Sequence, residues 1–424
     1  MAVANKSVGH GGQPFSDDNV NPHSIDLLEL LKCSILPEQK YNFDEPLQDS
    51  CFKEHILNVE TNLLNAISLL TKIREGEAIP KKIVLYTILV AGENSTINMW
   101  TNHKIMMYAD NLLKEILTRY GYSDLSSLLK LEVDDCLSEL RPKLLKNTWK
   151  NYPAAVDSFI WILFSLKCPH VGEHLHSILP TCLLLTDDHV YANKVKGLQC
   201  LQHVASNVSR TDLNQYGQGA VIYKAVEHMV YLREPEIIPH LAKCLIALLS
   251  KTEQSPTSHS LTWNHFDDVL NIWLPSMEME QKLVLREAYI ENLNEFLQAM
   301  GLGSARWSRK LMLIFSDYCE QEHTREMSLK ALLTFINSAW PRISSHFHSI
   351  VVILMKVIIN IKTKGSISNY GTRPSGILVK QCFRALERLS NLMYRDFVNK
   401  IKENDDMADL YKLIMENEIL SQSL

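Results

Sequence analysis

Glycine and proline are scarce in this chain. There are 15 of each in 424 residues, which puts glycine at roughly half its usual share of ~7%. That shortage excludes a turn-rich sandwich or barrel as the simplest reading and favours long helices. No charge of one sign dominates either: 43 Lys and Arg stand against 48 Asp and Glu, a formal net charge of −5. The balance forces no basic face, so neither nucleic acid nor a membrane is an expected partner. Long apolar runs are missing. The longest are 83–91 and 350–361, the second interrupted by Lys356. Both fall short of the ~20 residues of a membrane span. Residues 1–18 show no apolar core of a secretory signal. The nine cysteines are scattered, with no Cys-x-x-Cys pair, as in a reducing compartment where free Cys acts as a small hydrophobe. The expected location is cytoplasmic and nuclear.

What is present is helical periodicity. Ile56, Val59, Leu63, Ile67 and Leu70 fall on one face of a 3.6-residue period. So do Leu329, Leu332, Leu333, Ile336 and Trp340, then Leu285, Tyr289, Leu293 and Phe296. Pro153 and Pro235 stand where a first helical residue tolerates a missing N–H. Ser209 and Asp212 have capping-box spacing. Sustained strand alternation is missing. Lys251–Ser260 and Lys364–Gly376 read as loops, and Ser255-Pro256 in the first reads as a loop turn or a phosphate acceptor.

The pattern repeats. A helix ends in a Leu-rich turn, an acidic turn follows, and a second helix opens near a basic residue. Anchors at Asp188, Glu236, Glu280 and His323 are 48, 44 and 43 residues apart, close to the ~40–47-residue period of HEAT or armadillo arrays. Hairpins of this kind cannot bury their apolar stripes alone, so neighbours must stack. The expected fold is therefore all-α, an α-solenoid of HEAT- or armadillo-like hairpins. Its expected divisions are a disordered tail over 1–24, N-terminal helical repeats or a cap over 25–135, and a repeat array over 136–424.

Several residue groups carry possible chemistry. The stretch from Cys168 through His170, His174 and His176, with Cys200 and His203, offers zinc-type ligands. It lacks HExxH and paired cysteines, and reads as helix with surface His and buried Cys. Gly301-Leu-Gly-Ser-Ala-Arg306 starts like a dinucleotide fingerprint, but Arg306 replaces the third Gly and no strand precedes it. It reads as a helix C-cap. No P-loop, nucleophile elbow or kinase signature occurs, so no catalytic residue and no cofactor is expected. Lys143, Lys146 and Lys150 surround Trp149 at helical spacing, and Lys380, Arg384 and Arg388 form a second basic stripe. Each is either a contact for an acidic partner or a solvated helix face. Trp149 and Trp340 are either partner anchors or plugs between repeats.

The run from Leu140 to Ala154, Ile178-Leu-Pro180, Leu183 to Asp188, Gly197 to His203 and Ala339-Trp-Pro-Arg-Ile-Ser344 resembles the Tel-two-interacting (Tti-two) family over about 140–350. That resemblance implies a non-enzymatic scaffold subunit of the Triple T co-chaperone complex, bound to Tti-one and Tel-two. With heat-shock protein 90 and R2TP, such a complex stabilises phosphatidylinositol-3-kinase-related kinases. Lys146, Trp149, Lys150, Trp340 and Arg342 are the candidate partner-binding residues, because they lie in the most recognisable segments. The competing expectation is another binding solenoid, such as a nuclear transport receptor or a regulatory scaffold arm.

Overall fold

A computed structural model describes residues 22–40, 48–74, 79–253, 262–364 and 374–403. Most of the expected tail, Ser255-Pro256 and most of both expected loops lie outside them. Helices dominate the described residues, and the only β pairing among them is a single bridge between Asn98 and Thr101. Contacts divide the chain into two units, 1–185 and 186–424.

The first unit holds α1 (Pro22–Cys33), α2 (Lys53–Lys72), α3 (Lys81–Glu93), α4 (His103–Tyr120), α5 (Leu125–Leu140), α6 (Pro153–Ser165), the single turn α7 (His170–Glu173) and α8 (Leu175–Thr186), which ends at the division. Helix α3 packs on α1, α4 and α6, and α2 packs on α1 and α4. The stripe read from the sequence is the inner face of α2, with Val59, Leu63 and Leu70 buried. Asn102 caps α4 through Lys104 N–H and Ile105 N–H, and Gly121 closes it in the left-handed region at φ 67°, where a side chain would be strained. Arg119 donates to the α2 carbonyls of Leu70 (2.7 Å) and Ile73 (3.0 Å).

Glu93, the last residue of α3, is buried. Its Oε2 accepts the Leu36 N–H at 3.0 Å, beside a cluster of Leu36, Phe52, Trp100 and Ala154. Burial pushes its carboxyl up to about 7 from 4.5; the Leu36 N–H and the Lys143 charge oppose this, and Asp157 adds to it. The fold therefore holds a proton that the unfolded chain releases. This group favours the fold fully below pH ~4.5, and that contribution is lost as pH rises to ~7. Glu93→Gln, which stays neutral, is expected to gain on the wild type through that window. The gain should reach about 3 kcal/mol above pH 7, at roughly 1.4 kcal/mol per unit. Urea melts of both proteins at stepped pH check this; a difference independent of pH contradicts it.

The second unit holds α9 (Tyr191–Asn207), the short α10 (Arg210–Asn214), α11 (Gln218–Glu227), α12 (Ile238–Thr252), α13 (His265–Met279), α14 (Leu283–Glu291), α15 (Leu293–Met300), α16 (Ser308–Glu320), α17 (Glu322–Ser338), α18 (Trp340–Lys364), α19 (Pro374–Leu389) and α20 (Asn391–Lys402). They stack in two layers. Helices α9, α12, α14–α15, α17 and α19 follow one another in one layer, while α13, α16 and α18 form the other. Each chain reversal carries the backbone from one layer to the other, which makes this unit a row of helical hairpins.

The expected period appears directly in the bonds between hairpins. Trp273 Nε1 donates to the Val230 carbonyl, 43 residues back. Lys251 Nζ donates to the Val208 carbonyl, also 43 back, and the Tyr318 hydroxyl to the Met277 carbonyl, 41 back. Arg233 pairs with Glu280, 47 residues on. Glu280 is one of the acidic anchors. Burial works against its charge, yet the N–H groups of Lys282 and Gln281 and the Arg233 guanidinium outweigh this and hold its carboxyl below the usual range. The acidic turn is thus a structural device that starts α14 and ties it to the preceding hairpin.

Three local expectations meet a break in helix phase. The Leu329 stripe does not reach Trp340: α17 ends at Ser338, Ala339 turns the chain (φ −94°, ψ 25°), and Trp340 begins α18 facing solvent. Pro341 has no N–H with which to continue α17. The stripe from Leu285 to Phe296 crosses a bend at Asn292 (φ −105°, ψ 2°) that separates α14 from α15, yet all four residues are buried. Pro235 lies before its helix, and Pro239 sits in the first turn of α12 instead. Pro153 and the Ser209 cap of Asp212 N–H (3.1 Å) stand as expected.

Helix α18 is longer than its apolar run suggested. Within residues 340–361 an 18-residue stretch reaches a mean hydropathy of 1.5, enough by length and composition to cross a membrane. Its Ile343, Phe347, Ile350, Leu354, Val357 and Ile361 are all buried at spacings of 3 and 4, on the side that meets α16, α17 and α19. Ser345, His348, Ser349, Val352, Lys356 and Ile359 are exposed on the other side. This is the pattern of a helix with one buried face.

Candidate partner-binding surface

The basic segment that carries Trp149 is not a helix. Helix α5 ends at Leu140 because Pro142 cannot donate the next backbone hydrogen bond. Residues 141–148 then form consecutive turns, and a short 3-10 turn spans Trp149–Asn151 before Pro153 opens α6. Thr148 Oγ1 donates to the Lys143 carbonyl at 3.2 Å and Trp149 N–H to the Leu145 carbonyl at 3.0 Å. Gln39 N–H donates to the Asn151 carbonyl at 2.8 Å, pinning the end of the segment. The supposed Lys143–Lys146–Lys150 helical stripe is therefore corrected to a knot of turns.

Within that knot, Leu144 and Trp149 point inward and are buried, while Leu145 and Lys146 are exposed. Trp149 is a plug. Lys150 lays its ammonium 5.4 Å from the Trp149 ring centroid, a cation–π contact that rigidifies the segment. In the second unit Trp340 is 59% exposed and Arg342 is exposed beside it at the start of α18. Of the two readings open for these tryptophans, the core reading holds for Trp149 and fails for Trp340. The second basic stripe lies on the outer side of α19, with Arg384 and Arg388 exposed and Lys380 half-buried; Arg388 donates to Asn337 Oδ1 at 2.7 Å.

Between α5, the turns and α8 lies a cavity of about 300 Å³. Leu137, Leu140, Leu144 and Phe159 form its buried apolar floor. Asp134, Ser138, Arg141, Leu145, His176 and Ser177 stand around its mouth. Asp134 is engaged by His174 at 2.9 Å. Sequence reasoning missed this cavity, though Leu140, Arg141, Leu144 and Leu145 on one wall and Pro180 on the other belong to the segments that carry the family resemblance.

The metal-type stretch disperses. His170 meets Glu173 at 3.0 Å, Cys182 and Cys200 are buried, and no group of three His, Cys, Asp or Glu among the described residues is placed to hold a metal ion. Gly301 ends α15 at φ 57° as the C-cap reading requires. Arg306, the residue that breaks the fingerprint, ion-pairs with the buried Asp267. Burial pushes the thiols of Cys136, Cys244, Cys319 and Cys382 upward, the second to about 12. These are inert packing cysteines, and none of them lines the cavity.

Residues 117–321 match the Tti2 family. The chain is 29% identical over 322 residues to human TELO2-interacting protein 2, covering 72% of this chain and 63% of that protein. It is 32% identical over 279 residues to the rat protein of the same name, covering 62% of this chain and 53% of the relative. The chain thus spans roughly half to three-fifths of the length of these relatives. Among solved structures, two mutants of Kap121p superpose with TM-scores of 0.51 and 0.52 at 12% identity, over 90% of this chain and 34% of theirs. That likeness shows the fold alone, and it bears out the helical-repeat solenoid expected from the sequence. The Tti-two resemblance is borne out by sequence.

Proposed function

From a chain that carries the Tti2-family pattern across residues 117–321, we infer a non-enzymatic scaffold subunit of the Triple T co-chaperone complex. It binds Tel-two and Tti-one. Through that complex, with heat-shock protein 90 and R2TP, it helps newly made phosphatidylinositol-3-kinase-related kinases to mature in the cytoplasm and nucleus. The observation that carries the reading is the identity to relatives named for interacting with TELO2, over as much as 72% of this chain. The hairpin stack supports it physically: repeat arrays present extended surfaces suited to holding other proteins. Lys146, Trp340 and Arg342 are exposed and available to a partner, whereas Trp149 and Lys150 would act by holding the 141–151 turns in shape.

Depletion in cells of the source organism tests the function. The steady-state levels of the large kinases are expected to fall severalfold while their messenger RNA stays constant, and re-expression of the full chain should restore them. Unchanged kinase levels, with the tagged chain recovering nucleoporins or a small GTPase, would instead favour the transport-receptor alternative.

A further inference from the structure

The cavity between α5, the 141–148 turns and α8 has a chemistry that identifies its occupant. Its floor is apolar, with Leu137, Leu140 and Phe159 buried. Its mouth carries one carboxylate, Asp134, and one guanidinium, Arg141. Asp134 already meets the His174 ring at 2.9 Å, whereas the Arg141 guanidinium meets no ion-pair or hydrogen-bond partner among the described residues. Leu145 stands 52% exposed at the mouth, extending the apolar surface outward. Among the described residues, the buried side-chain polar atoms left without partners are on Asn98, Glu132, Arg286 and Asn292, and none of these residues lines the cavity.

No polar atom inside therefore demands a polar small molecule. The volume, about 300 Å³, sits at the small end of ligand pockets (roughly 300–1,000 Å³). It suits one anchoring side chain better than a whole cofactor. An apolar floor beneath one unpaired guanidinium calls for an apolar side chain flanked by a carboxylate. We propose that this cavity docks a short acidic segment of a partner protein, a Leu, Ile, Met or Phe side chain filling the floor and an adjacent Asp or Glu pairing with Arg141. The proposal rests on the scaffold reading and deepens it by giving that scaffold one defined peptide site.

The test selects a random phage-displayed peptide library on the purified full chain, then measures the best synthetic peptide by fluorescence anisotropy. Selected peptides should carry an acid within one or two residues of a large apolar side chain. Ser138→Trp, made at an exposed position of α5, fills the mouth, and Arg141→Glu reverses its charge. Each should weaken binding about tenfold or more while leaving thermal melting unchanged. Replacing the peptide's acid by lysine should restore binding to Arg141→Glu, which a merely structural effect could not do. Peptides without the acidic–apolar pattern, binding indifferent to both substitutions, or self-association of the chain abolished by Ser138→Trp would overturn the proposal. Recovery of TELO2 by the wild-type chain, scored separately, separates failure of this site from failure of the scaffold reading.

Discussion

Asp267→Ala is expected to cost about 2–4 kcal/mol of unfolding free energy, the order for leaving a buried donor unsatisfied and losing a further charge-assisted hydrogen bond. Asp267 is 1% exposed. It serves three purposes at once. Its Oδ2 accepts the Asn264 N–H at 3.1 Å, the reciprocal half of the capping box that starts α13. The same carboxylate takes the Arg306 guanidinium, and its Oδ1 accepts Trp307 Nε1–H at 2.8 Å. Those last two residues lie about one repeat further on, so Asp267 joins one hairpin to the next. Alanine removes the reciprocal half of the capping box, leaves the buried Trp307 N–H without this acceptor and takes the carboxylate from the Arg306 ion pair. Asp267→Asn keeps an acceptor but not the charge, and should lose less. Chemical denaturation of the three proteins checks the order; an alanine variant within about 0.5 kcal/mol of wild type would show that the network carries no stability.

Gly197→Val should be nearly as damaging, for the opposite reason. Gly197 lies in mid-α9, where a Cβ would stand 2.4 Å from both the backbone N and the Oγ1 of Thr186 and 2.7 Å from its Cα. Two of these three atoms are backbone, so no rotamer change relieves the collision. Alanine would ordinarily improve a helix interior by roughly 1 kcal/mol over glycine. Here overpacking reverses that gain, and branched valine should cost about 3 kcal/mol. The melting temperature of Gly197→Ala decides the matter. A rise would mean that α9 can retreat from Thr186; the close approach requires a fall.

These two sites show what the sequence made legible and what it hid. Helices and their period were readable because apolar spacing and acidic anchors recur along the chain, and the family resemblance because several segments between 140 and 344 carry it. Gly197 stands in the sequence only as part of a recognisable run; its reason, a close backbone approach to Thr186, exists only in three dimensions. The Lys143–Lys150 stripe misled because spacing cannot register that Pro142 stops α5 and coils the following residues. Trp340 misled in the same way, since its place in the Leu329 stripe assumed a helix unbroken through Ala339. The cavity was invisible because its walls are separated by some thirty residues, and the zinc-type spacing around His176 pointed to a different chemistry. Arg306 looked like a defect in a glycine pattern and is instead half of an ion pair to the buried Asp267.

Reconstitution tests the central claim, that this array of hairpins exists to hold other proteins. The full chain, co-expressed with the Tel-two and Tti-one proteins of the same organism, is analysed by size-exclusion chromatography with light scattering. One peak with the summed mass of the three chains, persisting at high salt, is the expected result. Elution of this chain as a lone monomer, with its would-be partners associating without it, would contradict the account.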